Sequence, residues 1–570
     1  MGDVFLVDGP PGCGKTRWLS HQSERAVAKH GGAAVAIASL TRTAAAEIAS
    51  RADGHVPDEN IGTLHAHCYR AMDRPDLAET TKSLREFNTA HPAHHLTGGI
   101  ADPDDAPADA DSTGRTHADE LHNAVKIHRA NMTPREKWTP EQQEHDDLWR
   151  DFKTQTGRPD FTDLIERAIR DGAAHHAHPR VLLLDEAQDF SRLELALAMQ
   201  WAQHAETTVV VGDPRQAIFG WRGADPAGLL NLPATDRRIL EQSYRVPRAV
   251  HALAQHIAGH LPIGPAAYQP RDEDGSVDHL RGVNLRSAEL VDRLRADHQE
   301  GRDSMVLAAC GYMLGPLIAQ LRAAGLPFHN PYRVKQGAWN PMRGAGRLAA
   351  FLRPSGDVWG DAARAWTWDD LRLWAEPLQA STALARGAKA LIERKCQADR
   401  FDESSADQEV PLDVLMDNIL GTGSFDHPAL RMDVDWWAEH LRAKEAKSAA
   451  YPLEVLRKSG PAALRETPRI VVGTVHSTKG SEASRVYLAP DLSIQGDNAW
   501  GMGGEDRDAI VRAFYVGTTR ARHDLMILDP ACPEHVPATL LGGQGTPRRR
   551  ASVSDLEARI TARMAERTAA

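Results

Sequence analysis

Short, uninterrupted apolar runs alternate with helical stretches twice along this chain, and two segments of different character break the rhythm. Val4–Val7, Ala33–Ser39, the region around Ile61-Gly62-Thr63, Val181–Leu184 and Val209–Val211 are of strand length and lack polar alternation. Strands buried on both faces of a parallel sheet read this way. A second set follows at Ser304–Ala309, Arg469–Gly473, Arg485–Ala489 and Asp524–Leu528, with a helix around Leu314–Ala324. The alternation predicts an α/β fold with parallel sheets. Residues 71–150 are polar, and the acidic stretch from Ala101 to Asp111 is expected to be a disordered loop. Residues 335–464 carry a helical pattern rich in Trp and Ala. The expected division is therefore 1–70 with 151–237 as the first unit and 71–150 as its insertion. Residues 238–334 with 465–532 form the second unit, 335–464 its helical insertion, and 533–570 a polar tail containing Arg548-Arg549-Arg550.

The first apolar run leads into Gly9-Pro10-Pro11-Gly12-Cys13-Gly14-Lys15-Thr16, which fits G-x-x-x-x-G-K-[ST]. Glycines let backbone N–H groups turn inward around phosphate oxygens, and the start of the following helix adds partial positive charge. Gly9, Pro10, Gly12, Cys13 and Gly14 would form the cradle; Lys15 can reach the terminal phosphates and Thr16 can ligate Mg²⁺. The run Val181–Leu184 ends in Asp185-Glu186-Ala187-Gln188-Asp189. A carboxylate at a strand end beside a phosphate loop can hold Mg²⁺, which assigns Asp185 to the metal and leaves Glu186 to orient and deprotonate the attacking water.

Bulk properties narrow the setting. With 570 residues the chain exceeds one core and is expected to form three or four domains. Hydrophobic residues at 42% and charged residues at 25% are ordinary for a soluble protein. No apolar run approaches a membrane span and no secretory signal is read, so a cytoplasmic protein without membrane partner is expected. The five cysteines form no C-x-x-C, which argues for a reduced setting without structural zinc. A net charge of -11 excludes a polycationic arm, so any nucleic-acid site must be a local groove. The histidines at His91–His95 and His175–His178 are read as solvated loop residues, because no carboxylate or thiol falls at ligand spacing.

Further segments occur in a fixed order. They are Thr41-Arg42-Thr43-Ala44-Ala45-Ala46-Glu47-Ile48, Gly62-Thr63-Leu64-His65, Asp160-Phe161-Thr162-Asp163-Leu164 and Asp185-Glu186-Ala187-Gln188-Asp189. Then come Val211-Gly212-Asp213-Pro214-Arg215-Gln216-Ala217-Ile218-Phe219-Gly220-Trp221-Arg222-Gly223-Ala224 and Leu240-Glu241-Gln242-Ser243-Tyr244-Arg245. Thr474-Val475-His476-Ser477-Thr478-Lys479-Gly480-Ser481-Glu482 and Tyr515-Val516-Gly517-Thr518-Thr519-Arg520-Ala521 close the series. In this order the set resembles the UvrD/Rep branch of superfamily 1 helicases, over both α/β units.

The resemblance implies two RecA-like P-loop domains, each with a mostly helical insertion, and ATP with Mg²⁺ between them. Lys15, Thr16, Asp185 and Glu186 keep the roles given above. Gln216 would sense the γ-phosphate. Arg245 and Arg520 would be arginine fingers, a role suited to permanently charged forks. Arg17 and Tyr244 would sandwich the adenine, and Glu482 would bond the ribose. Thr63, His65, Phe219, Trp221, Arg222 and His476 would line a path for single-stranded DNA, with Trp221 stacking a base. The implied activity is ATP-dependent 3′→5′ translocation on single strands and unwinding of tailed duplex DNA. An alternative is a nucleic-acid-binding ATPase switch subunit of a repair or defence complex that does not unwind alone. A P-loop kinase or GTPase is opposed by the paired arginines and the Trp221 loop.

Departures from the family pattern carry expectations of their own. The segment whose Gln reads the adenine edge is not seen before the phosphate loop, so weak discrimination between ATP and GTP is expected. Ser39-Leu40 replaces the usual Phe-Thr, and Ser481 and Ala483 replace Leu and Phe around Glu482. Both insertions look shorter than in bacterial repair helicases, and no nuclease-like acidic cluster follows residue 520.

Overall fold

The computed structural model describes residues 2–40, 48, 56–98, 116–331, 333, 337, 339–397 and 408–543. The acidic stretch 101–111, most of the segment Thr41–Ile48 and the tail beyond 543 lie outside them.

The first sheet contains β1 (Asp3–Asp8), β2 (Val35–Ala38), β3 (Ile61–Gly62), β4 (Val181–Leu184), β5 (Thr207–Gly212) and β6 (Asp236–Ile239), in the order β3-β2-β4-β5-β1-β6. Every pairing in it is parallel. Alternate residues serve opposite faces, as the strand period requires. Val7, Val35, Ile37, Val181, Leu183, Val209 and Val211 pack with Leu19 of helix Lys15–His30 on one side. Val4, Leu6, Ala36, Ala38, Leu182, Leu184 and Val210 pack against Leu193, Leu197 and Trp201 on the other. The continuous apolar runs thus follow from burial on both faces. The strand β6 spans the expected boundary at 237/238 and pairs with β1 at the sheet edge. The crossover to the second unit therefore follows Ile239.

A short parallel pair, β7 (Gln242–Pro247) and β8 (Gln269–Arg271), links the two units. The second large sheet holds β9 (Ser276–Leu280), β10 (Ser304–Ala308), β11 (Phe328–His329), β12 (Ile470–Thr474), β13 (Ala483–Leu488) and β14 (Ala521–Leu528). Its order is β11-β12-β10-β13-β14-β9, again all parallel. Met305, Leu307, Val486, Leu488, Leu525 and Ile527 face helices Arg248–Ala258 and Gly504–Thr518, while Val306, Ala308, Val472, Tyr487 and Met526 face the opposite layer.

Both insertions are helical and have cores of their own. The first packs Phe87, Trp149 and Phe152 among helices Thr81–Ala90, His117–Ala130 and Pro140–Thr156. It is tied to the first unit through Arg129, whose guanidinium reaches Asp160 at 2.7 Å, Asp163 at 2.6 Å and Glu166 at 2.8 Å. Lys153 completes the buried cluster at 2.7 Å from Asp160. The second insertion centres on Phe351, Trp366, Trp374 and Trp437. The indole N–H of Trp366 donates to Ala350 O at 3.0 Å, and that of Trp437 to Trp374 O at 3.0 Å, so the polar edges of these two rings are satisfied inside the core.

Candidate active site

The phosphate loop leaves β1 at Asp8 and enters helix Lys15–His30 with Gly12 and Gly14 at φ 73° and 72°, a region that glycine enters without strain. A Cβ on Gly12 would lie 2.4 Å from Arg245 Cβ, so the loop also needs glycine where β7 passes close by. That approach is pinned by Tyr244 N donating to Gly12 O at 2.9 Å and Ser243 Oγ to Pro11 O at 2.8 Å. Lys15 Nζ donates to Gly9 O at 3.0 Å and so sits over the loop mouth.

The β4 run delivers Asp185 and Glu186 beside this loop because β4 and β1 flank β5. Asp185 is buried. Glu186 takes a left-handed backbone conformation, φ 53°, uncommon for a side chain with a Cβ, and functional sites are where such strain collects. Burial would raise its pKa, but the Lys15 and Lys479 cations, a hydrogen bond from Gln188 and the Arg520 cation outweigh it and hold the carboxylate at about 2. The group is thus an ionised acceptor that can aim a water molecule, with little proton affinity of its own.

Residues from the second unit meet the first at this point. Arg520 is buried, donating from Nε to Val516 O at 3.0 Å, from Nη1 to Ser481 O at 3.1 Å and from Nη2 to Gln216 Oε1 at 3.3 Å. Gln216 in turn donates from Nε2 to Asp213 Oδ2 at 2.8 Å. Arg245 Nε donates to Glu482 Oε2 at 2.5 Å. The two arginines and Gln216 therefore converge from both units, whereas Glu482 is held by the arginine expected to act beside it. Arg17 and Tyr244 are both exposed, and Tyr244 Cδ2 is 4.0 Å from a Cβ built on Gly14.

The sequence reading left three contributors without a role. Lys479 makes an ion pair with Asp189 and donates to Gln216 O at 2.8 Å, crossing between the units. Asp189, deeply buried, is raised to about 6 by burial in spite of Lys479. Arg215 joins Asp8 at 2.9 Å, Asp213 at 3.2 Å and Gly264 O at 2.9 Å, bracing the end of β1 against the loop that precedes β8. Lys479, Asp189 and Arg215 were visible only as members of the resembling segments; Asp8 carried no signal, since long-range pairing is not encoded in local pattern.

The expected strand path is gathered more loosely. Phe219 and Trp221 lie edge to face with centroids 6.2 Å apart, and Phe219 lies 6.1 Å from the His476 ring. Lys479 Nζ stands 4.9 Å above the Phe219 ring, which packs against the second unit's core. Phe219 is therefore a packing residue between units, and Trp221 is half-buried with Arg222 exposed beside it. His476 Nε2 is 3.1 Å from Ile218 O. Thr63 caps helix Leu64–Ala71 by accepting from Ala66 N at 3.2 Å, and His65 pairs with Glu194 at 3.5 Å. Asp160 and Asp163 belong to the buried Arg129 cluster.

The reading of the histidine stretches as solvated needs correction. His175 is buried among His67, His176 and Trp201, and His94 contacts His145 at 3.3 Å, which lies 3.1 Å from the buried His122. Only His95 and His178 of the named histidines are exposed. The partners come from distant segments, which spacing within the loops does not reveal.

Two parallel-sheet units with a phosphate loop on one and arginines supplied by the other define a RecA-like architecture. Residues 1–235 match the family model for the UvrD/REP helicase N-terminal domain. It is 25% identical over 316 residues to the ATP-dependent DNA helicase PcrA of Bacillus subtilis, covering 50% of this chain and 41% of that protein. The PcrA of Staphylococcus epidermidis is 26% identical over 295 residues, 45% of this chain and 38% of the relative. A Leuconostoc citreum PcrA is 31% identical over 102 residues, 17% of this chain and 14% of the relative. The chain thus aligns with less than half the length of these relatives. No helix among the described residues is long and apolar enough to cross a membrane.

Proposed function

We propose that the protein is an ATP-dependent translocase on single-stranded DNA, moving 3′→5′ and unwinding tailed duplexes, with hydrolysis in the cleft between its two units. The observation that carries this reading is the junction at Gln216. There Arg520 of the second unit meets a residue of the first at 3.3 Å while Lys479 bonds the same residue's carbonyl at 2.8 Å. Hydrolysis that needs a group from each unit depends on how the units sit, which is what coupling to movement requires.

In this reading the Gly9–Thr16 loop and Lys15 hold the phosphates. The donors at the Mg²⁺ position, the Thr16 hydroxyl and the buried Asp185 carboxylate, are hard oxygens of the type that ion takes, and the glycine cradle is too tight for a Cβ at Gly9 or Gly12. Bound there, Mg²⁺ would neutralise charge on the transferring phosphoryl group. Glu186 orients the water. Arg520 and Arg245 stabilise the equatorial oxygens, Arg245 exchanging Glu482 for phosphate as it does so. Trp221 offers a face to a base, and Thr63, His65, Arg222 and His476 border the strand. The carboxylate held at about 2 agrees with phosphoryl transfer, in which positioning outweighs proton abstraction.

The test is the ATPase rate of the purified chain with and without single-stranded DNA, together with unwinding of 3′- and 5′-tailed duplexes. DNA-stimulated hydrolysis and opening of the 3′-tailed duplex are expected. Stimulation without unwinding would leave an ATPase switch that works within a larger complex, and no stimulation would refute the DNA-coupled reading.

A further inference from the structure

The topology gathers three histidines from distant segments behind the first sheet. His67 lies on helix Leu64–Ala71, which follows β3 at the sheet edge. His175 and His176 lie in the loop that leads from helix Phe161–Arg170 into β4. His67 Nδ1 is 3.1 Å from His175 Nε2 and 3.5 Å from His176 Nε2. One ring nitrogen from each residue lies within 4.8 Å of the others. A tetrahedral ion with zinc–nitrogen bonds of about 2.0–2.1 Å needs its nitrogens about 3.4 Å apart, so the spacing about His67 needs only small ring movements.

The surroundings suit ligation. His67 Nε2 lies 3.2 Å from Ile37 O, and the N–H it donates there leaves the Nδ1 lone pair facing the other two rings. Ligating histidines are commonly oriented by such a bond on the far nitrogen. The Trp201 ring packs edge-on against His67 and His175, with centroids at 6.1 and 4.8 Å, and keeps water from that side. Burial lowers all three histidines, His67 to about 3 and His175 to about 2, so neutral imidazoles are available. Arg70 is the near cation and is held by Glu59 O and Ile61 O at 2.7 and 3.1 Å; the Glu59 carboxylate acts on His176 with opposite sign.

Hydrogen bonding alone accounts for only one of the two contacts. Ala177 N–H points at His175 Nδ1 at 3.1 Å, which places the His175 proton on Nε2, facing His67 Nδ1. That bond uses the one lone pair on His67 and gives His176 Nε2 no part. An ion bound between the rings would move the His175 proton from Nε2 to Nδ1 and displace the Ala177 contact, while engaging all three nitrogens.

We propose that His67, His175 and His176 form a site for a divalent transition-metal ion of the zinc class, completed by water on the solvent side of half-buried His176. Three imidazoles without a carboxylate select such an ion over Mg²⁺ or Ca²⁺. The ion would tie the helix that begins after Thr63 to the loop entering β4, the strand that ends at Asp185.

The test uses the full chain, stripped with EDTA and titrated with Co²⁺ and then Zn²⁺. One equivalent of Co²⁺ should give the visible ligand-field bands of a near-tetrahedral site, displaced by Zn²⁺, and Zn²⁺ should raise the melting temperature. His176→Ala, at the half-buried position, should weaken Zn²⁺ binding at least about tenfold and abolish the Co²⁺ bands. His175→Ala should do the same where it folds, and His94→Ala, in the other histidine group, should leave both signals intact. Absence of saturable binding by the wild type, unchanged binding by His176→Ala, or equal loss in His94→Ala would each overturn the site.

Discussion

Replacing Arg520 by alanine tests the proposed cleft most directly. The side chain is 2% exposed on a residue basis, and its three nitrogens are directed at Val516 O, Ser481 O and Gln216 Oε1. Two of those bonds stay within the second unit and fix the guanidinium; the third crosses to the first. An arginine finger contributes about 10³-fold or more to phosphoryl transfer, and three factors of ten correspond to about 4 kcal/mol of barrier. Losing charged hydrogen bonds also threatens stability, at about 1.5–3 kcal/mol for each bond whose acceptor stays buried. The two effects are separated by measuring kcat at saturating ATP and single-stranded DNA beside nucleotide affinity and thermal unfolding. Arg520→Lys refines the comparison, since it keeps charge but cannot span Ser481 and Gln216 together. The expected result is a kcat lower by about 10³ in the alanine variant, with nucleotide affinity changed far less. A folded variant whose kcat stays within about threefold of wild type would show that Arg520 merely packs the interface.

Glu186→Gln should abolish turnover and retain ATP binding, because it removes the carboxylate charge that orients the water while sparing Lys15 and Thr16; near-normal hydrolysis would refute that role. Its folded pKa of about 2 lies below the ordinary 4.5, so its stabilising contribution is present above pH 4.5 and lost as pH falls toward 2. Urea unfolding at pH 5 and pH 3 should accordingly show a smaller acid loss in Glu186→Gln than in wild type. Trp221→Ala should weaken single-strand binding by about 1–3 kcal/mol and leave DNA-independent hydrolysis unchanged; a parallel fall in both would make Trp221 a packing residue. Arg129→Met should destabilise the protein by about 3–5 kcal/mol in urea unfolding, since Asp160 and Asp163 would keep only Lys153 as a buried cation; a loss under about 1 kcal/mol would contradict the cluster's structural role.

Legibility in the sequence followed the physical range of each interaction. Buried parallel strands need continuous apolar runs, so β1, β2, β4, β5, β10, β12, β13 and β14 were readable from pattern alone. The edge strands β6 and β9 were not: β6 is Asp-Arg-Arg-Ile, with both arginines exposed, and β9 is half polar. The phosphate loop was visible because its turns demand glycines in sequence. The convergence of Arg520 on Gln216 needed the family resemblance, since the pair is 304 residues apart. The buried histidines escaped for the same reason in reverse. His67 carried no signal of its own, and His175 was read as a solvated loop residue, until the topology brought them together.

Lys479 shows why the position of the two units should matter to the nucleotide pocket. Its ammonium touches the Asp189 carboxylate and the Gln216 carbonyl and lies 4.9 Å from the Phe219 ring, while Phe219 adjoins Trp221 and His476. Separation of the units breaks these contacts together. Burial already raises Asp189 to about 6, and Lys479 is the main influence lowering it. Withdrawing that cation would leave an uncompensated carboxylate, which must take up a proton or admit water, and either course adds to the free energy of opening. Below about pH 6 the carboxylate takes up a proton and the ion pair to Lys479 weakens. Through one lysine, the charge state beside Glu186 and the packing beside Trp221 are therefore held in a single arrangement of the two units. Movement of the Phe219–Trp221 loop then cannot leave the surroundings of Glu186 unchanged.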